Sequence, residues 1–404
     1  MRRWVMGLSI LLGLGFGLVS LAADFNGDGC GDIASFRART GLWSVRQGTR
    51  VYFGDYLDER VPGDYNGDGT TDIAIFRGDS GLWAVRGVTR AYFGSVVDEP
   101  RARDYNGDGT TDIGIFRRAT GLWGVRGITR CYFGGSANLS VPEDYNGDGT
   151  DDIAIFLPGT GLWAVRGITR FYYGRSDDLP ILPDYNGDEE CEIGIFRSSS
   201  GLWAIAGVTR FYFGVEGDCP LTGDIDGDGS SEFAIFRPGQ GLWRVRNITS
   251  YYYGSKGDMP TLGCPNYSPH SYTDNEDGTV TDNVTGLMWA ADGSGDGCAS
   301  GGELDWSSAI SWAEGISFAG YSDWHMPDVR QLTGIMEIWR ANPYAYTIPL
   351  VNPTYFPNTK ADVYWTNFDG STIPDTAFFI GFDMGDLAPA PKNMPTYVRG
   401  VRNP

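Results

Sequence analysis

The chain has only two histidines, His270 and His325, in 404 residues, and no cysteines spaced as CxxC. So little imidazole leaves no motif that sets a nucleophile beside a base, and the missing thiol pairs disfavour metal or redox roles for cysteine. Positive charge is also scarce: 31 Lys and Arg stand against 51 Asp and Glu, a formal net charge of −20. That balance argues against nonspecific binding to nucleic acid or to an anionic membrane. Past the amino terminus no run approaches the ~20 apolar residues that span a bilayer.

The amino terminus itself is different. Arg2 and Arg3 precede an apolar run from Trp4 to Val19, broken by Gly7, Gly13, Gly15 and Gly17 and ending in Ser20, Ala22 and Ala23. This pattern predicts a signal peptide over residues 1–22, cleaved after Ala22. The mature chain is then expected to be secreted, at the cell surface or in the periplasm, with no transmembrane segment. In such a compartment six cysteines favour disulfides. Cys30 with Cys264, Cys264 with Cys298, and Cys191 with Cys219 are the pairings considered, which leaves Cys131 free.

Glycine is abundant, 59 residues, and strictly periodic. Asp24, Asp64, Asp104, Asp144, Asp184 and Asp224 open six units of 40 residues without a slip in register. The second unit predicts strands over Asp72–Arg77, Leu82–Arg86 and Thr89–Phe93, with a weaker fourth in the segment that leads into the next unit, such as Pro100–Tyr105. Four short antiparallel strands, repeated six times, predict a mainly β fold: a six-bladed β-propeller over residues 23–263. Its first blade lacks a leading strand, and Met259–Gly263 is expected to supply one. An open solenoid is the alternative.

Each unit carries a Gly-Leu-Trp step, giving Trp43, Trp83, Trp123, Trp163, Trp203 and Trp243. These read as packing between blades, with a ring of sugar-stacking platforms as the competing reading. Arg46, Arg86, Arg126 and Arg166 on one strand, and Arg50, Arg90, Arg130, Arg170 and Arg210 on the next, read as solvated or paired with loop carboxylates.

The loop that opens the first four units reads D-x-N-x-D-G-x-x-D, and the fifth and sixth depart from it with Glu at position 9. Oxygen side chains at positions 1, 3, 5 and 9, with a carbonyl at 7, suit the 6–8 hard ligands of Ca²⁺. The metal set is Asp24, Asn26, Asp28 and Asp32; Asp64, Asn66, Asp68 and Asp72; Asp104, Asn106, Asp108 and Asp112; Asp144, Asn146, Asp148 and Asp152; Asp184, Asn186, Asp188 and Glu192; and Asp224, Asp226, Asp228 and Glu232. Position 12 is Ile75 in the second loop, which excludes an EF-hand. Asx turns without metal are the bland alternative, but six like-charged copies would repel one another without counter-ions. Five to six Ca²⁺ are expected, with repeat five weakest because Glu189 replaces its turn glycine. The run D-x-N-G-D-G-x-x-D-I-A-I-F resembles FG-GAP and VCBS-type repeats. That resemblance implies calcium-stabilised propellers used in adhesion and ligand binding, with no catalysis.

After residue 263 the period stops. Gly278–Trp289 predicts a hairpin, Trp306–Ile316 a helix, Pro327 a helix start, and Tyr364–Asn367 and Tyr397–Arg402 strands, so residues 264–404 form an α+β domain. The order GTVTDNVTGLMW, GYSDWHMP, YWTN, VRGVR resembles the Lcl C-terminal domain family, named from a Legionella collagen-like adhesin. The resemblance implies a small C-type-lectin-like fold and binding of sulfated glycosaminoglycans. Six Lys and Arg against seventeen Asp and Glu from Cys264 onward oppose a polyanion on that domain, and Ala313 and Gly400 stand where many members carry cysteines. His325 reads as packing near the helix start and Trp324 as a core residue. The chain is thus expected to be a calcium-binding adhesion or ligand-binding protein, not an enzyme, whose partner is an extracellular glycan or protein. A structural surface or matrix component and a glycan-acting enzyme are the alternatives.

Overall fold

The structure, a computed structural model, describes residues 10–11, 23–55, 58–237, 240–254, 259–260, 272–283, 285–336, 349, 351–369, 375–383 and 386–403. The predicted leader lies outside these apart from Ile10–Leu11, a two-residue strand that pairs with the start of the strand Asp386–Pro391. The chain divides into two units, residues 13–269 and residues 1–12 with 270–404.

The larger unit is built of six antiparallel four-stranded sheets, one per repeat. In the second repeat the strands are Glu59–Arg60, Ala74–Arg77, Leu82–Val85 and Thr89–Tyr92, hydrogen-bonded in that order. The last three fall within the predicted runs but are shorter, because Asp72 stays in the loop and Arg86 begins the turn. The strand leading into the third loop is Glu99–Pro100, brief and set earlier than expected, sharing only Pro100 with the predicted Pro100–Tyr105. Between the second and third strands Gly81 adopts φ +67°, and a Cβ there would lie 2.4 Å from the Gly94 carbonyl. Only glycine fits that approach, which explains why it precedes Leu-Trp in every repeat.

Met259–Pro260 pairs with Ala34–Arg37, Phe36 opposite Met259, and supplies the leading strand of the first sheet as expected. Residues 261–263 lie outside the described residues.

Hydrophobic packing runs between neighbouring sheets. Phe36 and Trp43 of the first sheet share a core with Ile73, Ile75 and Ala84 of the second. The same arrangement links second to third, third to fourth, fourth to fifth and fifth to sixth. The sixth sheet's core includes Ile33 of the first repeat. All six repeat tryptophans are at most 1% exposed. Each indole N–H donates to a backbone carbonyl ten residues on, as Trp83 does to Phe93 at 2.9 Å, and each ring packs on a phenylalanine of the adjacent strand, as in Phe76–Trp83. The sugar-platform reading of these tryptophans is therefore overturned: no ring face is open to a ligand.

A second periodic feature is ionic. Asp58, Asp98, Asp178 and Asp218 have fully buried side chains, each gripped in bidentate fashion by the arginine nineteen residues on, Arg77, Arg117, Arg197 and Arg237. The fourth sheet has Asn138 and Leu157 at the two equivalent places. Both members of the pair are replaced together, which avoids leaving one charge uncompensated.

The three pairings considered do not form, because Cys30, Cys191 and Cys298 are free thiols, as is Cys131. Cys219 is disulfide-bonded, and a disulfide is what an exported chain was expected to have. Cys30 faces Gly227 of the sixth loop, and the Cys191 thiol approaches the Glu192 carbonyl at 3.8 Å. Cys264 lies outside the described residues.

The smaller unit holds two four-stranded sheets. One joins Tyr272–Asp274, Thr279–Asp282, Met288–Ala290 and Val401–Arg402; the predicted hairpin is its centre, with Val280 opposite Trp289. The other joins Ile10–Leu11, Asp386–Pro391, Thr376–Gly381 and Val363–Trp365. The helix Trp306–Gly315 is capped by Asp305, whose carboxylate accepts from the Ser308 N–H. The helix expected to start at Pro327 starts instead at Val329. Asp328 caps it, accepting from Gln331 N–H while Gln331 Oε1 accepts from Asp328 N–H. This reciprocal capping box fixes the start two residues later than proline chemistry alone suggested.

The buried pairs make a direct test. Asn138→Asp alone places an unpartnered carboxylate where the other sheets have an ion pair, and should cost about 1–3 kcal/mol. Adding Leu157→Arg should recover most of that loss in denaturant unfolding; no recovery would show that the fourth sheet differs in more than this pair.

Candidate functional site

The six Asp-rich loops share one geometry. In the second loop Asp64 Oδ1 accepts from the backbone N–H groups of Gly67 at 2.7 Å, Asn66 at 3.2 Å and Asp68 at 3.3 Å, while Oδ2 accepts from Gly69 at 2.8 Å. Asp24, Asp104, Asp144, Asp184 and Asp224 do the same at the third residue on, at 2.6–2.8 Å. A carboxylate that gathers successive N–H groups winds the chain around itself and sets where the following side chains go.

At position 9, Asp32, Asp72, Asp112, Asp152, Glu192 and Glu232 each accept the N–H of the loop's second residue, at 2.7–3.2 Å. Aspartate and glutamate reach the same donor. At position 5, Asp68 and Asp108 hold the hydroxyl and N–H of the threonine two residues on, and Asp228 holds those of Ser230. Asp28, Asp148 and Asp188 hold the N–H of the residue two on.

Position 3 separates the loops. Asn26, Asn66, Asn106 and Asn146 turn their amide N–H₂ toward the position-9 carboxylate, Asn26 at 3.1 Å from Asp32. In the fifth loop the Asn186 amide donates to Asp188 at 2.9 Å. Amide orientation follows the hydrogen-bond network, and a half-turn would present Oδ1 instead. In the sixth loop position 3 is Asp226, and the carboxylate oxygens of Asp224, Asp226 and Glu232 lie within 4.8 Å of one another. Three hard, anionic oxygens at that separation form a donor set fit for a divalent cation such as Ca²⁺. Glu189, where the other loops have the turn glycine, takes φ +68° and keeps the inward N–H, 3.0 Å from Asp184 Oδ2. The fifth loop thus holds its shape with a non-glycine residue in a strained backbone region.

Electrostatics follow the same division. Burial, then repulsion by neighbouring loop carboxylates, raises the pKa of all six position-9 carboxyls above their ordinary values. Asp152 is pushed up to about 6. The hydroxyl partners of Asp68, Asp108 and Asp228 lower theirs. One carboxyl in each loop is therefore held in a place that penalises its charge, the place a bound cation would relieve.

The loops are also tied to one another. Thr71 N–H donates to the Asp24 carbonyl, Thr111 to Asp64, Asp151 to Asp104, Cys191 to Asp144 and Ser231 to Asp184, at 2.6–2.9 Å. Gly31 N–H donates to the Asp224 carbonyl at 2.7 Å, returning the series from the sixth loop to the first. Sequence reading found the loop residues but not this link, which uses only backbone atoms at position 8, where side chains vary freely.

In the terminal unit Arg399 is fully buried. Its guanidinium donates to the Ala290 and Ala291 carbonyls and to Thr359 Oγ1. His325 lies by Gln331 Nε2 at 3.4 Å, and Trp324 is buried with its indole N–H on the Phe318 carbonyl. These are the packed positions the sequence suggested. Arg402 forms a bidentate pair with Asp323 and stacks on Tyr321. Residues 278–402, which contain all of these, match the Lcl C-terminal domain.

The terminal unit carries that domain's pattern.

The matched span covers about a third of the chain and holds both helices, the buried arginine and the described strands of the terminal unit other than Ile10–Leu11 and Tyr272–Asp274. No curated protein matches this chain. Among solved structures, a lectin from Agrocybe aegerita that recognises non-reducing terminal N-acetylglucosamine is 19% identical, with 62% of this chain and 81% of that chain covered at a TM-score of 0.37. BBS1N in complex with ARL6DN is 8% identical, with 71% and 94% covered at 0.39. Virginiamycin B lyase from Staphylococcus aureus is 8% identical, with 64% and 92% covered at 0.36.

Titration of Asp152 can be measured. A carboxyl whose native pKa exceeds its unfolded value supports the fold while protonated and withdraws that support as pH rises through the native value. For Asp152 the window runs from the usual 3.8 to about 6. In chelator, the thermal midpoint of Asp152→Asn should therefore gain on that of the parent chain as pH rises from about 4 to about 7. A constant difference would show that this carboxyl titrates normally.

Proposed function

We propose that this chain is an exported, calcium-binding adhesion protein in which the repeats form a six-bladed β-propeller and the terminal domain recognises an extracellular glycan or protein. The match of residues 278–402 to the Lcl C-terminal domain carries the adhesion reading. The leading strand supplied by Met259–Pro260, the core shared by the sixth sheet with Ile33, and the Gly31 to Asp224 hydrogen bond support closure of the six sheets into a ring. The leader over residues 1–22 supports export, and no described helix is long and apolar enough to cross a membrane.

For calcium, the support is the donor set of the sixth loop together with the raised position-9 carboxyls in all six. When bound, the ion would supply the positive charge the loops lack. Asp224, Asp226 and Glu232 would hold it in the sixth loop, and the first, third, fifth and ninth residues in the others, once the Asn amides turn. Because the loops are joined carbonyl to amide, an ion in one stiffens the next. The proposal assigns no catalysis.

Calorimetry on calcium-stripped protein tests the metal. Uptake of five to six ions per chain is expected, each adding about 2.7 kcal/mol of stability at roughly a hundred times its dissociation constant. Asp226→Asn should turn the sixth loop into one resembling the first four, removing its lead in affinity. Absence of uptake and of thermal stabilisation would rule the metal out. For adhesion, a glycan array probed with the calcium-loaded chain should give hits that are lost when residues 278–404 are removed; silence would favour a structural matrix component, and turnover of any polysaccharide would make the chain an enzyme.

A further inference from the structure

The outermost strand of every repeat sheet presents a feature that neither the loops nor the terminal domain uses. These strands, such as Thr89–Tyr92 and Thr129–Tyr132, are edge strands. Each ends in an exposed tyrosine: Tyr52, Tyr92, Tyr132, Tyr172, Tyr212 and Tyr252 are 66–77% exposed, all in the same register. Two residues earlier, Arg50, Arg90, Arg130, Arg170 and Arg210 are exposed as well. Residues two apart on a strand share a face, ~7 Å apart, so a guanidinium and a phenol ring stand side by side in five of the six sheets.

The charge around them is one-sided. The ten-residue segments 45–54, 85–94, 125–134, 165–174, 205–214 and 245–254 together hold ten arginines and no Asp or Glu, in a chain whose formal charge is −20. Sequence reading allowed these arginines to pair with loop carboxylates. Among the described residues none of the ten has a carboxylate partner; the ion pairs of the repeats belong to other arginines. Two of them lie instead on aromatic rings of the neighbouring sheet, Arg46 3.8 Å from the Tyr251 centroid and Arg246 3.9 Å from that of Phe211. Segregating cations from acids in an acidic protein forgoes pairing energy that was available close by, and exposing six tyrosines leaves apolar area in water.

We propose that these six outer edges bind an acidic polysaccharide. The tyrosine ring stacks on the apolar face of a sugar, and the neighbouring guanidinium takes its carboxylate or sulfate in bidentate fashion. A single Arg–Tyr pair is a weak site. Six in register act on one long chain, where each further contact is intramolecular and avidity rises by orders of magnitude. A nucleic acid would offer rings and anions too, but its dense charge, about one per 1.7 Å of duplex, meets the acidic loops as well as the arginines and is disfavoured. The inference rests on the reading of this chain as a binding protein, and it adds a second contact, on the repeats, to the one proposed for the Lcl-type domain.

The full-length chain would be passed over immobilised polygalacturonate, dextran sulfate and neutral dextran, with single-stranded DNA as competitor. Retention on one or both acidic polymers, weakening as salt rises, and none on neutral dextran is expected; the two acidic arms separate carboxylate from sulfate. Arg90→Gln, Arg130→Gln and Arg170→Gln combined, and separately Tyr92→Ser, Tyr132→Ser and Tyr172→Ser combined, should each weaken binding by at least about tenfold, with the thermal midpoint held near that of the parent. Single Arg170→Gln and Tyr172→Ser variants serve if a triple variant does not fold. Failure to bind either acidic polymer, unchanged binding by the variants, or equal displacement by DNA would overturn the proposal. If calcium-dependent array binding persists through such a failure, the adhesion reading stands and only this site falls.

Discussion

The aspartate that opens each repeat is the constraint on which the larger unit depends. Its carboxylate collects the N–H groups of its own loop, and its backbone carbonyl takes an N–H from the loop of the following repeat. One residue therefore sets both the local turn and the spacing between neighbours. This explains why the 40-residue period tolerates changes at position 8, where Thr, Asp, Cys, Ser and Gly all occur, yet admits no insertion. An extra residue would separate the two roles. The cores that span adjacent sheets reinforce the same spacing, with each tryptophan held in its own sheet by its indole N–H and buried.

The cost of this arrangement is electrostatic. Three or four carboxylates per loop are crowded by a turn that brings them together, and the position-9 group is half withdrawn from water as well. The asparagine amides soften the crowding in the first four loops by pointing N–H₂ at the ninth residue. The sixth loop, with Asp226, has no such donor and converges three anions. The metal reading is thus an argument from what the fold leaves unbalanced, strongest where the neutral substitute is missing.

Much of this was legible in the sequence because strict periodicity multiplies every weak signal by six. Strand positions within the sheets, the places of the loop carboxylates and the strand lent by Met259–Pro260 all follow from register. The Asp–Arg pairs were equally available: the nineteen-residue spacing from Asp98 to Arg117 recurs, and the joint change to Asn138 and Leu157 marks the two positions as partners. Cysteine pairing was not legible, since whether Cys30 meets another thiol or Gly227 depends on how loops face each other. In the terminal domain, where nothing repeats, the hairpin and first helix were clear from pattern. The second helix was misplaced by two residues because the Asp328–Gln331 box outweighs Pro327, and Arg399, buried on carbonyls, had no sequence signal beyond its place in the expected strand Tyr397–Arg402.

The strand that completes the first sheet also imposes an order on assembly. Ala34–Arg37 leaves the ribosome more than 220 residues ahead of Met259–Pro260, so the first sheet waits with one edge unpaired while the other five find their leading strands close by in the chain. A contact between residues so distant in sequence forms late. Until then the first repeat holds three of its four strands and carries an open edge that the other five sheets close from within their own stretch of chain.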